Sequence, residues 1–257
     1  MTAGTMSHPQ TGTGQDDVDV CIVGAGPVGA TLACRLAVAG LRVAIVDRAA
    51  LPPMEDPAFD GRAYAIAAGP RRLLEDAGVW GLLPLQACPI EEIRVSDGRP
   101  GEKPSPLFLE FGRQDAEQPF GWMIEARALR VALNRALHAH DLLTVLAPDE
   151  ATITRTAEGA RVRMQSGRTF GARLIVAAEG RRSALRDQAR IGITRLPYHQ
   201  SGIVCAVAHE HPHNNRALEH FLPAGPFAQL PMAATPEHPN LSAIVWSESD
   251  ALARRMA

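Results

Sequence analysis

The feature that most constrains the fold is a glycine-rich turn between a short apolar run and a helical pattern near the start of the chain. Val18 to Val23 are mostly apolar and β-branched, and the turn that follows reads Gly24-Ala25-Gly26-Pro27-Val28-Gly29. The first glycine of such a turn permits a sharp bend, the second lets the backbone approach a diphosphate, and the third lets the helix pack closely. The sequence therefore predicts a strand, a turn and a helix whose N-terminus binds a dinucleotide.

A second strand and its final acid extend this prediction to a whole nucleotide-binding unit. Gly40 is placed to end the helix, Arg42 to Val46 form an apolar strand, and Asp47 follows. In dinucleotide-binding folds a carboxylate about 20 residues after the glycines hydrogen-bonds the ribose hydroxyls. An ordinary βαβ turn would not require this acid, so the combination favours an adenine dinucleotide without a phosphorylated ribose.

Composition and length restrict the class of protein. The chain has 257 residues, of which 46% are hydrophobic, and a formal net charge of −2. These values indicate a globular protein of one or two domains and imply no nucleic-acid partner. Residues 1–17 are small and polar, which predicts a disordered tail and not a secretory signal. No apolar run approaches the ~20 residues that span a bilayer, so any membrane contact would be peripheral.

The cysteines and histidines give no clear metal-binding pattern. The widely separated cysteines predict reduced core residues of a cytoplasmic protein; they are Cys21, Cys34, Cys88 and Cys205. His209, His211 and His213 alternate, but Pro212 interrupts the strand and no further ligand completes a set. The sequence therefore predicts no metal site.

The remaining sequence predicts a mixed α/β chain in two parts. Residues 126–140 have a helical pattern, and the unbroken apolar run Leu174 to Ala178 is typical of a strand that is buried on both faces. After Tyr198 the patterns are those of strands without long helices, which indicates an antiparallel sheet. We predict a discontinuous dinucleotide-binding domain, residues 18–85 and 123–190, and a second domain, residues 86–122 and 191–257.

Several polar residues next to these elements are candidate ligand groups. Arg62 lies among small and apolar residues, where a guanidinium needs an anionic or carbonyl partner, although a solvated surface charge is an equal alternative. Arg127, Arg130 and Asn134 share one helix face, and charges on such a face usually serve solubility. Glu179-Gly180 follow the predicted buried strand at the edge of the sheet where open α/β proteins bind ligands.

Five segments, in order, resemble those of the flavoprotein aromatic hydroxylases, and most of all those of the ubiquinone-biosynthesis hydroxylases. They are the glycine turn, Asp60-Gly61-Arg62-Ala63, Ile124 to Arg130, Ala178 to Ser183, and His220 to Pro231. The resemblance extends from about Val18 to Trp246. It implies an FAD-binding Rossmann-like domain with an antiparallel-sheet substrate domain, in a chain that is incomplete at the C-terminus.

The resemblance also implies cofactor contacts and a reaction. The adenosine and diphosphate half of FAD would contact Gly24, Gly26, Gly29, Asp47 and the adjacent Arg48. Arg62 and Arg127 would reach the flavin side, and Glu179-Gly180 correspond to an Asp-Gly motif linked to FAD and NAD(P)H, with the longer Glu in place of Asp. The expected reaction is hydroxylation of a polyprenylated phenol or benzoquinol-type ring with NAD(P)H and O2, in contact with the inner membrane surface. No residue is identified as a catalytic acid or base.

One departure from the family leaves two further interpretations open. The family's second flavin motif, a Gly-Asp followed by small residues, does not occur before Ala257. We therefore expect an amino-terminal fragment, a truncated product or one half of a split protein, which a partner chain or a C-terminal half would complete. The alternatives are an inactive FAD-binding module and an NAD-dependent dehydrogenase, which Asp47 would also suit. A yellow absorbance spectrum would exclude the dehydrogenase, and NAD(P)H turnover with oxygen would exclude the inactive module.

Overall fold

The computed structural model describes residues 17–51, 62–103, 105–112, 114, 117–157 and 159–256. The predicted disordered tail therefore lies outside the described residues, apart from Asp17. The same is true of Asp60-Gly61 in the second family segment.

The described residues form an α/β structure, as predicted. The strands are, in chain order, β1 (Val18–Val23), β2 (Val43–Val46), β3 (Ala63–Ile66), β4 (Cys88–Ile90), β5 (Glu92–Asp97), β6 (Phe108–Phe111), β7 (Gly121–Glu125), β8 (Leu143–Leu146), β9 (Ala151–Thr156), β10 (Gly159–Met164), β11 (Thr169–Ala177), β12 (Gln200–Ala208), β13 (Arg216–Leu222), β14 (Gly225–Met232) and β15 (Leu241–Ser249). The helices are α1 (Pro27–Val38), α2 (Ala68–Asp76), α3 (Ala126–His138), α4 (Ala184–Gln188) and α5 (Asp250–Met256).

The first sheet contains the predicted nucleotide-binding unit. Its strand order is β8-β2-β1-β11-β10-β9, in which β8, β2, β1 and the second half of β11 run parallel. β9, β10 and the first half of β11 form an antiparallel meander. Helices α1 and α3 pack on one face, where Ile22, Ile45 and Leu133 are fully buried. The meander covers part of the other face, because its Val162 and Phe170 pack in one cluster with residues of β1 and β2.

The prediction that Leu174 to Ala178 form a strand buried on both faces is wrong for part of this run. The strand is present, but Leu174 is 56% exposed, Ala177 is exposed, and Ile175 and Val176 are only half-buried. Pairing explains the difference, because the second half of β11 pairs with β1, whereas β10 pairs only with residues 169–172. An apolar run indicates a strand, but it does not show how many neighbours the strand has.

A second sheet has six strands, with the order β12-β15-β14-β13-β5-β6. Its β12, β15, β14 and β13 are antiparallel to one another, as predicted from the sequence after Tyr198. β13, however, pairs in parallel with β5, which lies far earlier in the chain. The sheet is therefore mixed, a result that local sequence patterns could not give, since β5 and β13 meet only in the folded chain.

A small sheet of β3, β7 and β4 connects the two larger sheets. Cys88 and Met123 of this small sheet pack with Ala217 and Ala243 of the second sheet. β7 leads directly into α3, which packs in the core of the first sheet. The small sheet thus shares one hydrophobic core with the second sheet and is continuous in sequence with a helix of the first.

The cysteines that were predicted to be core residues are mostly buried. Cys21, Cys34 and Cys88 are buried free thiols, and Cys205 is half-buried. Burial raises the pKa of Cys21 to about 12 and that of Cys34 to about 11, so both remain protonated and unreactive at neutral pH. Within the described ranges, no helix is long and apolar enough to cross a membrane.

Candidate functional site

The candidate site lies where the adjacent ends of β1 and β11 bring two sequence motifs together. The amide of Ala178 donates to the carbonyl of Val23 at 2.8 Å. Gly24 turns away at a φ of +107°, and a Cβ there would lie 2.9 Å from the Glu179 amide nitrogen and closer still to the Ala178 carbonyl. Only glycine fits this turn, so the first glycine motif and the Glu179-Gly180 motif are in backbone contact.

The other two glycines of the turn also have the surroundings that their predicted roles require. A Cβ on Gly29 would overlap the Gly24 carbonyl and would lie 3.1 Å from the Cβ of Ala178, so α1 could not pack as closely with a larger residue. A Cβ on Gly26 would meet no atom within 4 Å. Gly26 is also the N-cap of α1 and provides no side-chain cap. Open space before uncapped helix amides is what a diphosphate needs.

Asp47 ends β2 beside this turn, as predicted. Its Oδ2 accepts from the Ala25 amide at 2.7 Å, and its Oδ1 accepts from the Ala49 amide at 2.9 Å. A carboxylate has about four acceptor positions, so these two bonds orient Asp47 and leave capacity for ribose hydroxyls. Arg48 is exposed next to it.

Arg62 and Arg127 are brought together although they are distant in the sequence. β3 and β7 pair with Ala63 opposite Glu125, and the Ala126 amide donates to the Arg62 carbonyl at 3.0 Å. Arg127 is in the first turn of α3, and both arginine residues are exposed. The two side chains therefore begin at the same corner of the small sheet.

Arg130 reaches the candidate site, although the sequence interpretation treated it as part of a solvated helix face. Its guanidinium donates to the Ala25 carbonyl at 2.7 Å, inside the glycine turn. Burial lowers the pKa of Arg130 and so does the like charge of Arg62, whereas Tyr64 and Asp47 raise it. These three side chains are therefore its neighbours, and the guanidinium stays protonated.

Asn134, one turn further along α3, also belongs to the buried side of this helix. Its side-chain amide donates to the Leu51 carbonyl at 2.9 Å, which ties α3 to the segment after β2. The available signal in the sequence was position: Arg130 and Asn134 lie four residues apart in a helix whose leucines are buried. Spacing alone did not distinguish this arrangement from a solvated stripe.

Glu179 and Gly180 lie at the predicted edge of the first sheet, where Glu179 has a local structural partner. Its carboxylate accepts hydrogen bonds from the Ser183 hydroxyl and from the amides of Ala184 and Leu185. Ser183 in turn caps α4 by accepting from the Arg186 amide. Gly180 has a φ of +80°, which favours glycine. The acid therefore holds the turn next to Gly24, and a direct cofactor contact remains a proposal.

A cavity of about 600 Å³ occurs in the second sheet and contains none of the candidate cofactor residues. His209, His211 and His213 are among its lining residues. The ring nitrogens of His209 face the His211 carbonyl and the Ser242 hydroxyl, and those of His213 face the Met232 carbonyl and the Asn215 amide. In the part of the chain that the structure describes, no group of side chains has the arrangement of a metal site.

The arrangement of the glycine turn, Asp47 and Arg130 fits a dinucleotide cofactor. Uncapped amides face open space at Gly26, Asp47 ends the neighbouring strand with acceptor capacity left over, and Arg130 brings a positive charge to the turn. These are the groups that recognise the adenosine and diphosphate portions of a dinucleotide.

The chain belongs to the FAD binding domain family, which matches residues 17–247. This match confirms the resemblance to the FAD-dependent aromatic hydroxylases and FAD as the cofactor of the family, and it argues against an NAD-dependent dehydrogenase. The chain is 44% identical over 241 residues to ubiquinone hydroxylase UbiL of Rhodospirillum rubrum. That alignment covers 93% of this chain and 54% of the relative.

Two further relatives agree with this result. The 3-demethoxyubiquinol 3-hydroxylase of Escherichia coli is 29% identical, with 93% of this chain and 59% of the relative covered. Ubiquinone hydroxylase UbiM of Neisseria meningitidis is 28% identical, with 83% and 47% covered. The chain thus spans about half the length of the curated relatives that it matches.

The solved structures support the fold. PqsL of Pseudomonas aeruginosa, in complex with 2-aminobenzoylacetate, superimposes with a TM-score of 0.76 at 21% identity, over 93% of this chain and 63% of that one. The p-nitrophenol 4-monooxygenase PnpA of Pseudomonas putida gives a TM-score of 0.72 at 15% identity, over 93% and 60%. The predicted aromatic-hydroxylase fold is confirmed.

Substitution of two glycines should separate cofactor binding from folding. Gly26→Val adds a side chain to open space, so we expect a near wild-type melting temperature but loss of FAD retention. Gly24→Ala forces a strained φ and a backbone overlap, which should destabilise the protein by about 1–3 kcal/mol or more. Thermal melts and FAD titration of both variants test this pair. Full FAD retention by Gly26→Val would contradict the assignment of the glycine turn as the diphosphate site.

Proposed function

We propose that this chain is part of an FAD-dependent monooxygenase that hydroxylates the aromatic ring of a polyprenylated ubiquinone precursor, with NAD(P)H and O2 as co-substrates. The observation that carries the proposal is the 44% identity to a ubiquinone hydroxylase across 93% of the chain. The geometry of the glycine turn, Asp47 and Arg130 supports the cofactor part of the proposal.

The residues of this chain would hold and orient the cofactor. The amides that follow Gly26 would bind the diphosphate, Asp47 the ribose, and Arg62 and Arg127 the flavin side. When bound, FAD supplies the redox chemistry that accepts electrons from NAD(P)H and activates oxygen, whereas the protein supplies orientation and a dry environment. Arg130 fixes the glycine turn by its bond to Ala25 and keeps a positive charge beside the diphosphate position.

Removal of Arg62 or Arg127 should weaken FAD binding without unfolding the chain. Both side chains are exposed, and hydrogen bonds to charged groups are worth about 1.5–3 kcal/mol, or roughly ten- to a hundredfold in affinity. We expect Arg62→Ala and Arg127→Ala each to lower FAD affinity by about that factor at an unchanged melting temperature. Arg161→Ala, at an exposed position on β10, is the matched control. Equal FAD affinity in all three variants would contradict a role of Arg62 and Arg127 in FAD binding.

We further propose that a second polypeptide segment, in the same or in a partner chain, covers an exposed apolar surface on β11 and the segment that follows it. Large apolar side chains are exposed on β11 and in the following irregular segment: Leu174, Ile191, Ile193, Leu196 and Tyr198. Tyr198 alone is 82% exposed. Exposed apolar patches of more than a few hundred Å² mark interaction surfaces or aggregation risks.

Reconstitution tests both the proposed activity and this covering segment. The chain alone should bind FAD weakly and oxidise little NAD(P)H with a phenolic quinone precursor. Addition of the C-terminal half of a ubiquinone hydroxylase relative should raise FAD affinity, coupled hydroxylation and the melting temperature together. A partner at 100 times its Kd stabilises the folded state by about 2.7 kcal/mol. A monodisperse chain with full FAD occupancy and efficient hydroxylation would contradict the need for a covering segment, and reconstituted protein without turnover would contradict the proposed activity.

The edge of the second sheet supports a proposal of peripheral membrane contact, which a prenylated substrate would require. Leu107, just before edge strand β6, is 81% exposed, and Leu109 within that strand is 63% exposed. A buried leucine side chain is worth about 1.5–3 kcal/mol. The double variant Leu107→Ser, Leu109→Ser should therefore bind vesicles of phosphatidylethanolamine and phosphatidylglycerol at least about tenfold more weakly. Leu73→Ser on α2 is the control, and equal sedimentation of all three proteins with vesicles would remove this proposal.

A further inference from the structure

Glu219 lies on the face of the second sheet that turns toward the small sheet. Alternation along β13 places Ala217, Glu219 and Phe221 on one face, and Ala217 is buried against Met123 of the small sheet. The intervening His220 is on the opposite face, where its Nδ1 meets the Ser96 hydroxyl at 2.9 Å. Glu219 is therefore one step beyond the packed core, on the same face.

The strand register surrounds this carboxylate with apolar residues. Glu219 is opposite Ala228 on one side and opposite Val95 on the other. The same row continues through Val245 of β15 and ends at Leu109 of β6. No basic side chain occurs among these cross-strand neighbours, so the row presents one acidic group in an apolar strip.

Among the described residues, none forms a hydrogen bond or an ion pair with the Glu219 carboxylate. Burial raises its pKa above the ordinary value, although the group is still partly exposed. A carboxylate that has lost part of its hydration without gaining a partner is costly to the fold. Because a carboxylate only accepts hydrogen bonds, a partner that completes this site must bring a donor.

We propose that Glu219 is a substrate-binding residue that accepts a hydrogen bond from the ring hydroxyl of the aromatic substrate. Its apolar neighbours Val95, Ala228 and Val245 would pack against the ring. This inference rests on the proposed function, since it assumes that the face toward the small sheet receives the ring. The hydrogen bond increases the electron density of the ring, as an electrophilic hydroxylation requires. The proton stays on the substrate oxygen.

The consequence is selectivity for a free hydroxyl group on the ring. A site built around a hydrogen bond rejects an analogue that lacks the donor, because the buried polar group is then left without a partner. A methyl ether of the same ring keeps the apolar contacts with Val95 and Ala228 but has no proton to donate. The distinction between a phenol and its methyl ether therefore measures the contribution of Glu219.

Binding of two matched probes to the FAD-supplemented chain tests the proposal. Isothermal titration with 2-allylphenol and with its methyl ether, 2-allylanisole, should show at least about a tenfold preference of wild type for the phenol. Glu219→Leu should abolish this preference, and Glu219→Gln, which keeps an acceptor oxygen but no charge, should retain part of it. Glu237→Gln, at an exposed loop position, is the control.

Thermal melts keep the binding result interpretable. Because Glu219→Leu removes an unpartnered carboxylate from an apolar row, its melting temperature should equal or exceed that of wild type, whereas a structural role would lower it. A phenol preference that survives in Glu219→Leu, or the absence of any preference in wild type, overturns the proposal.

FAD affinity, measured on the same variants, should not change. Normal FAD binding and reconstituted turnover without phenol selectivity would therefore refute the role of Glu219 alone, and loss of turnover in reconstituted wild type would refute the proposed function.

Discussion

The rest of the site depends on one backbone approach, that of Gly24 to Ala178. Parallel pairing of β1 with β11 brings the ends of both strands side by side, and the absence of a side chain on Gly24 lets the chain turn there. Gly29 then packs against the same turn, which sets the start of α1. A motif formed by neighbouring residues thus becomes a binding site only when a distant strand is in place.

Charged groups around the glycine turn add to the effect of this backbone contact. The uncapped N-terminus of α1 carries partial positive charge, and Arg130 reaches the same turn from α3. Asp47 is close enough to influence the pKa of Arg130, and the Ala25 and Ala49 amides hold it in one orientation. The net result is a positive region with one oriented acid, which suits a diphosphate joined to a ribose. The positive helix N-terminus and Arg130 repel each other, and an anion bound between them offsets this repulsion.

The sequence was informative wherever one short segment decides the outcome. The glycine turn and the acid that ends β2 are local, and the structure has both of them as predicted. The errors concern contacts between distant segments. The parallel pairing of β13 with β5 and the exposure of Leu174 depend on which strands become neighbours. Arg130 was underestimated for the same reason, since its carbonyl partner is far away in the chain.

The small sheet determines how the cofactor region relates to the second sheet. At one end, the Ala126 amide binds the Arg62 carbonyl, which fixes the corner from which Arg62 and Arg127 extend. At the other, Met123 packs with Ala217, two residues from Glu219. Both ends belong to β7 or follow it directly, so one strand sets the spacing between Arg62 and Arg127 and the apolar row that contains Glu219. The proposed hydroxylation of one ring carbon would require such a fixed spacing, because a shift of about 1 Å in the reacting groups costs roughly a hundredfold in rate.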